Sequence, residues 1–74
     1  LLVIVEVKSS TQFLTTKQFI QRISKAQFAR LQAMGSFYVH RISEVEELRI
    51  DLVGVYLNQK NSQVSHLVDI SLYI

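Results

Sequence analysis

Two oppositely charged side chains stand two residues apart at the end of an apolar N-terminal segment. In Val5-Glu6-Val7-Lys8, side-chain alternation along a β-strand places Glu6 and Lys8 on the same face. Charges in a buried strand are costly unless they pair or bind something. Metal-assisted phosphodiester hydrolysis needs a carboxylate to hold a divalent cation, an activated water and positive charge near the phosphoryl oxygens. Glu6 is therefore a candidate ligand for Mg²⁺, and Lys8 is a candidate for orienting the water or stabilising the developing anion.

The same spacing has a structural interpretation. A carboxylate and an ammonium at this distance occur by chance in many proteins, and spacing alone favours a salt-bridged pair at the end of a strand. The surrounding sequence favours the catalytic interpretation, because the pair lies at the end of a strongly apolar strand that precedes a polar loop and a capped helix. Both interpretations stay open at this point.

The segment Leu2–Lys8 predicts a β-strand with two different faces. Its dense apolar character indicates a central strand that is covered on both sides. The polar stretch Ser9–Thr16 follows as a loop, with Phe13 and Leu14 expected against the core. One face of the strand carries Val3, Val5 and Val7, and the other carries Leu2, Ile4, Glu6 and Lys8.

The strongest local signal is the start of a helix. Ser24 and Gln27 form a capping box, and Ile23 with Phe28 supplies the hydrophobic staple around it. The spacing predicts a helix from about Lys25 to about Arg41. Whether Thr16–Arg22 is a short helix or an extended lead-in stays open. The face predicted to pack on the sheet comprises Phe28, Leu31, Gly35, Tyr38 and Ile42, with Gly35 allowing a close approach.

The C-terminal part predicts an antiparallel hairpin. An acidic linker, Glu44–Glu47, leads to a strand over Leu48–Leu57, a polar turn over Asn58–Gln63 and a last strand over Val64–Ile74. The order strand, helix, strand, strand predicts an α/β fold with a mixed sheet. Such a sheet leaves one face or edge bare, so we expect further sequence or another chain to cover it, including a homodimer through the exposed edge.

The composition bounds the class of protein. A chain of 74 residues with 49% hydrophobic and 19% charged residues is one small globular domain. It has no cysteine, which excludes disulfides and thiolate zinc sites and fits a cytoplasmic location. Leu1–Val5 is too short for a membrane span, and the net charge of +2 tolerates a polyanionic partner. Because the chain starts inside a strand, we expect a piece of a longer protein.

Four segments together resemble a known family. The segments V-I-V-E-V-K-S, I-S-x-x-Q-x-x-x-L, R-I-D-L-V-G-V and S-H-L-V-D-I-S are similar to the YraN-like family of uncharacterised bacterial proteins. That family belongs to the PD-(D/E)xK nuclease superfamily, which has the restriction-endonuclease-like fold. The resemblance implies a metal-dependent nuclease acting on nucleic acid, with DNA favoured over RNA. In the family's terms Glu6 is a metal ligand and Lys8 is catalytic.

The chain departs from the family pattern in two places. The family's other metal-binding acid lies in a strand before the E-V-K strand, and nothing here precedes Leu1. The resemblance thus implies an incomplete domain over 1–74 that is nearly inactive alone. The family also tends to have a lysine on the first turn of the helix, where this chain has Gln27. Gln27 is therefore a candidate helper of the active site, although capping is the simpler explanation.

The alternative to catalysis is an α/β module that binds nucleic acid or protein, with Glu6 and Lys8 merely paired. Arg49 and Asp51 match the family's R-x-D, and we expect a surface ion pair or sheet-edge charges there. His40 and His66 lack ligand partners at metal spacing, so satisfied or solvated histidines are expected. The aromatic residues follow core periodicity and are expected to serve packing; they are Phe13, Phe19, Phe28, Phe37, Tyr38, Tyr56 and Tyr73.

Overall fold

The structure, a computed structural model, describes residues 1–42 and 44–74. It has an α/β fold in which a helical crossover and a hairpin build a mixed three-stranded sheet, which confirms the predicted order. No helix in the described ranges combines the length and the apolar character that crossing a membrane requires. The elements are β1 (Leu2–Ser10), α1 (Thr16–Gln21), α2 (Lys25–Arg41), β2 (Leu48–Leu57), β3 (Ser62–Leu67) and a short 3₁₀ turn (Ile70–Leu72).

The sheet has the order β1-β2-β3, so β2 is the central strand. β1 runs parallel to β2 with Leu2 opposite Leu48, and β3 runs antiparallel to β2. The prediction that the first strand is central and covered on both sides is wrong. β1 is an edge strand, and Val5 and Val7 on its odd-numbered face are 49% and 59% exposed. We call this side of the sheet the open valine face; it carries Val3, Val5, Val7, Val53, Val55 and Val64.

The two helices cover the other side of the sheet. Each begins with a complete capping box, formed by Thr15 and Gln18 in α1 and by Ser24 and Gln27 in α2. These caps satisfy backbone N–H groups that a helix start leaves without partners. The predicted bounds of α2 are confirmed, and the segment whose conformation the sequence left open contains the helix α1.

The buried residues of α2, Leu31 and Gly35, show that the helix packs on the sheet as far as Gly35. A Cβ added to Gly35 would lie 2.5 Å from Leu48 Cδ1, so the helix passes close to the first residue of β2, as the glycine predicts. The residues after Gly35 run beyond the end of the sheet. Tyr38 and Ile42, which the helical spacing assigns to the packed face, are therefore 46% and 43% exposed.

The core lies between the helices and the even-numbered face of β2. Phe19 from α1 is 1% exposed and covers Gly54, where an added Cβ would lie 2.7 Å from the phenyl ring. A large ring thus occupies the space that a side chain on β2 would need. The buried hydrophobic residues are Phe19, Ile23, Leu31, Ile50, Leu52 and Ile70, with Ile4, Leu14, Ile20, Phe28 and Leu67 packed against them.

The last predicted strand is only partly correct. The hairpin exists, but β3 covers Ser62–Leu67 and does not continue to Ile74. Asp69 adopts a left-handed backbone conformation with φ of 56°, which ends the extended chain and starts the 3₁₀ turn. This turn delivers Ile70 into the core, where it is 0% exposed.

Candidate functional site

Glu6 and Lys8 form an ion pair on the helix-covered side of β1. Lys8 Nζ lies 3.3 Å from Glu6 Oε1, and the side chains of Lys8 and Glu6 are 23% and 29% exposed respectively. Both side chains leave the strand on the same face, as the alternation predicts. A pair at this level of exposure contributes little to stability, about 1 kcal/mol or less.

Gln27 and Glu6 line one open hollow between α2 and β1. Its volume is about 250 Å³, and Arg30, Leu31 and Met34 complete the lining. The capping prediction for Gln27 is confirmed, because Gln27 Oε1 accepts from the Ser24 backbone N–H at 3.2 Å. Capping occupies the amide oxygen, so Nε2 of Gln27 is the group that can serve the hollow. The structure thus brings Glu6 and Gln27 together, with Lys8 joined to Glu6.

The residues of this hollow do not by themselves fit a Mg²⁺ ion. Magnesium prefers oxygen ligands in octahedral geometry and is held by one or more carboxylates. Glu6 is the single carboxylate of the lining, and its charge is compensated by Lys8. Across residues 1–42 and 44–74, no group of three or more Asp, Glu or His side chains is placed to hold a metal. Asp51 cannot join Glu6, because it leaves β2 on the open valine face.

Asp51 is the centre of a second cluster of charged residues. Its Oδ1 accepts from Arg49 Nε at 2.9 Å and from the Asp69 backbone N–H at 2.9 Å. Its Oδ2 accepts from Arg49 Nη2 at 3.0 Å and lies 2.9 Å from His66 Nε2. The side chain is 1% exposed, so the prediction of a surface ion pair is wrong for Asp51. One buried carboxylate joins β2, β3 and the segment that follows β3.

The electrostatics of this cluster keep Asp51 ionised. Burial alone would raise the pKa of Asp51, but hydrogen bonds from Arg49, the Asp69 backbone and His66, together with the Arg49 charge, lower the pKa to about 2. The hydrogen bond to Asp51 in turn raises the pKa of the Arg49 guanidinium, with the Asp51 and Asp69 charges adding to the effect against desolvation. Asp51 is therefore an ionised carboxylate in this cluster, and Arg49 is a charged guanidinium that donates to it.

His66 is a satisfied histidine, as the sequence predicts, but its partner was not foreseen. A carboxylate can only accept hydrogen bonds, so Nε2 of His66 is the donor in this contact. Hairpin register was the available signal, because it places His66 opposite Val53, next but one to Asp51. His40 is exposed near the end of α2. In the described part of the chain, every buried side-chain polar atom has a partner.

A charge asymmetry in the helical layer was also missed. From Thr16 to Arg41 the sequence has five basic residues and no Asp or Glu. Arg41 lies over the Phe37 ring, 4.2 Å from its centroid. The other four are also exposed, and we refer to them together as the basic helical patch. The absence of acids over this stretch can be read directly from the sequence. The basic helical patch consists of Lys17, Arg22, Lys25 and Arg30.

The aromatic residues divide into two groups. Packing is confirmed for Phe19, which is buried, and for Phe28, which lies against the core. Phe13, predicted to pack against the core, is 60% exposed and instead meets the Tyr56 ring edge to face, with centroids 5.7 Å apart. Core packing is also wrong for three further exposed rings, Phe37, Tyr38 and Tyr73.

Comparison with known proteins finds no relative of this chain. The chain has no match among protein-family models, curated proteins or solved structures.

Proposed function

We propose that this chain is a nucleic-acid-binding α/β module whose basic helical patch contacts the phosphate backbone. The observation that carries the proposal is the helical layer, in which the cations Lys17, Arg22, Lys25 and Arg30 are exposed and no carboxylate stands between them in sequence. Exposed cations bind phosphates by releasing condensed counterions, and this contribution does not depend on base sequence. The acids of the chain other than Glu6 lie in the C-terminal part, from Glu44 onward.

The Glu6–Lys8 pair takes part at the edge of this surface. Arg30 belongs to the basic helical patch and also lines the hollow that contains Glu6 and Gln27. A strand lying along the patch would therefore pass beside the Glu6 carboxylate and its ion pair with Lys8. In this role Glu6 limits the positive potential of the hollow, and Lys8 is an additional phosphate contact.

Fluorescence anisotropy with labelled single-stranded and duplex DNA and RNA tests the proposal. Replacing Lys17, Lys25 and Arg30 together by glutamine should weaken binding to all four probes. It should also reduce the slope of log Kd against log salt by about 0.9 for each duplex phosphate that the variant no longer neutralises. Lys60→Gln is the matched control, because this exposed lysine lies in the β2–β3 turn, and it should bind like the unaltered chain. Equal affinity of the triple variant and the control would refute the proposal.

Metal-dependent hydrolysis of nucleic acid is a second candidate, supported by Glu6 and Gln27 lining one hollow with Lys8 paired to Glu6. It requires a further carboxylate, since the described residues of this chain do not complete a Mg²⁺ site. Incubating the full protein with Mg²⁺ and labelled DNA or RNA should give cleavage that Glu6→Gln abolishes while nucleic-acid binding stays intact. Cleavage that persists in Glu6→Gln, or none at all, would count against this candidate.

A second copy of the chain is a separate proposed partner. β1 is an edge strand of nine residues, so its outer backbone groups are available for pairing with another strand. Sedimentation velocity over a range of concentrations should show a monomer–dimer equilibrium, and a monomer throughout would rule the dimer out. A cytoplasmic location is part of the proposal, consistent with a chain that lacks cysteine.

A further inference from the structure

A polar hollow lies at the end of the sheet where the two parallel strands finish. It has a volume of about 340 Å³ and is lined by Ser9, Ser10, Thr11, Gln12, Arg22 and Leu57. Ser10 is the last residue of β1, and Leu57 is the last residue of β2. In open α/β sheets, ligands bind in the crevice beyond the carboxyl ends of the parallel strands. This hollow lies beyond the carboxyl ends of β1 and β2, and it shares no lining residue with the hollow that contains Glu6.

Apart from Leu57, the lining consists of polar side chains and one cation. Three hydroxyl groups come from the end of β1 and the residue after it, an amide comes from Gln12, and a guanidinium comes from Arg22. The lining contains no carboxylate. Arg22 makes none of the ion pairs found among the described residues, so its charge is not neutralised locally. A guanidinium with several hydroxyls is the chemistry that recognises a tetrahedral oxyanion.

The loop that supplies these donors is held in shape by its own hydrogen bonds. Ser10 Oγ donates to the Gln12 carbonyl at 2.7 Å and accepts from the Gln12 backbone N–H at 3.0 Å. These two bonds fix the chain direction between Ser10 and Gln12, so the hydroxyl of Thr11 is presented from a constrained turn. Arg22 is the C-terminal cap residue of α1, whose backbone N–H bonds back to the helix. Both sides of the hollow are therefore preorganised, which lowers the entropic cost of ligand binding.

We propose that this hollow binds a phosphoryl group, with Arg22 as the anionic ligand's charge partner and Ser9 and Thr11 as hydroxyl donors, while the Ser10 hydroxyl holds the loop through its bond to Gln12. The phosphoryl group belongs either to a small phosphate monoester or to the terminal phosphate of a nucleic acid. Both present the same dianionic tetrahedral head. Binding of inorganic phosphate requires no nucleic acid, so the inference stands independently of the proposed backbone contact.

Backbone amide NMR with titrated inorganic phosphate is the first test. Phosphate should shift the resonances of residues 9–12 and 22 in a saturable manner, whereas chloride at equal ionic strength should not. Arg22→Gln should raise the Kd about tenfold or more, because it removes a charge-assisted hydrogen bond. Thr11→Val, which removes a hydroxyl at constant size, should raise it by a smaller factor. Arg41→Gln, which removes the same charge at the far end of α2, should leave it within about twofold, since screening weakens charges at that distance.

The source of the phosphoryl group is distinguished by two further titrations. One compares a small phosphate monoester with its free alcohol, and the other compares an oligonucleotide that has a terminal phosphate with the same oligonucleotide ending in a hydroxyl. The source is the ligand pair in which the phosphorylated member binds more tightly than its partner and in which Arg22→Gln removes this difference in affinity. Shifts that do not saturate, shifts spread over the whole basic helical patch, or equal binding by Arg22→Gln and Arg41→Gln would overturn the proposal.

Discussion

The Nε2 atom of His66 lies 2.9 Å from Oδ2 of Asp51, although the two residues are 15 positions apart in the sequence. The contact crosses from β2 to β3 and joins a ring that is 53% exposed to a carboxylate that is 1% exposed. Asp51 also receives the backbone N–H of Asp69, so it fixes the segment that carries Ile70 into the core. One buried side chain therefore links both strands of the hairpin to the segment that follows it.

Replacing this carboxylate should destabilise the fold. Asp51→Asn removes the negative charge that Arg49 and His66 compensate. The NH₂ group of the new amide would also face N–H groups that now donate to the carboxylate. We expect a decrease of about 3 kcal/mol in the free energy of unfolding, measured by urea denaturation. Glu46→Gln is the control, because Glu46 is an exposed acid, and it should change stability by less than about 0.5 kcal/mol. Equal midpoints for the two variants would contradict the assigned role of Asp51.

Stability should fall at acidic pH in a defined window. The pKa of Asp51 is lowered from 3.8 to about 2 in the folded chain. A depressed pKa means that the unfolded state binds the proton more readily, so the contribution of Asp51 is present above about pH 4 and is lost as the pH falls towards 2. Urea midpoints measured across this window should decline less steeply for Asp51→Asn than for the unaltered chain. Parallel declines would show that another group is responsible.

Removing the Arg49 guanidinium should change the pKa of Asp51. Arg49 is the first of the groups that lower the pKa of Asp51, against the burial that raises it. Arg49→Gln should therefore raise the pKa of Asp51, as followed by carbon NMR of the carboxyl group during an acid titration. Lys60→Gln removes a charge without touching Asp51 and should leave the titration in place. An unchanged pKa in Arg49→Gln would contradict the assignment of Arg49 as a dominant partner.

The two glycines should respond differently to alanine. At Gly54 the new Cβ would lie 2.7–2.9 Å from the Phe19 ring, which is buried and cannot move aside cheaply. We expect Gly54→Ala to cost about 2 kcal/mol or more. At Gly35 the Cβ would meet the end of the Leu48 side chain, and alanine gains about 1 kcal/mol in helix propensity. Thermal unfolding should show a large decrease in stability for the first variant and a change within about 1 kcal/mol for the second.

The two ends of α2 should also differ. Phe28 packs against the core, whereas Phe37 is 51% exposed beyond the end of the sheet. Phe28→Ala should cost about 3 kcal/mol in stability, and Phe37→Ala should cost less than about 1 kcal/mol. The pair is compared by urea denaturation under identical conditions. Similar decreases would show that the end of α2 is packed in solution.

Local signals predicted the fold well, and long-range contacts explain what they missed. The capping box at Ser24 and Gln27 and the alternation over Leu48–Leu57 gave the bounds of α2 and β2, because both depend on neighbours in sequence. The alternation past Leu67 was misleading, since the left-handed Asp69 and the burial of Ile70 depend on Asp51, far away in the chain. Spacing likewise predicted that Tyr38 packs, because it carries no information on where the sheet ends.

The candidate site was predictable to the same extent. Alternation placed Glu6 and Lys8 together on β1, and the capping box placed Gln27 on the first turn of α2, so their proximity followed from the strand–helix order. The burial of Asp51 and the hollow around Arg22 did not, because each is assembled from segments that no short-range pattern relates. The positive helical layer needed only a count of missing acids between Thr16 and Arg41.

The open valine face has a thermodynamic consequence. Unfolding raises the heat capacity mainly by hydrating apolar surface, at about 12–15 cal/mol/K per residue for an ordinary globular protein. Here Val5, Val7 and Val64 are already 49%, 59% and 68% exposed in the folded chain, so less apolar surface remains to be hydrated. The heat-capacity change of unfolding per residue should therefore lie below that range for this chain. Its free energy of unfolding should be small and should vary only weakly with temperature.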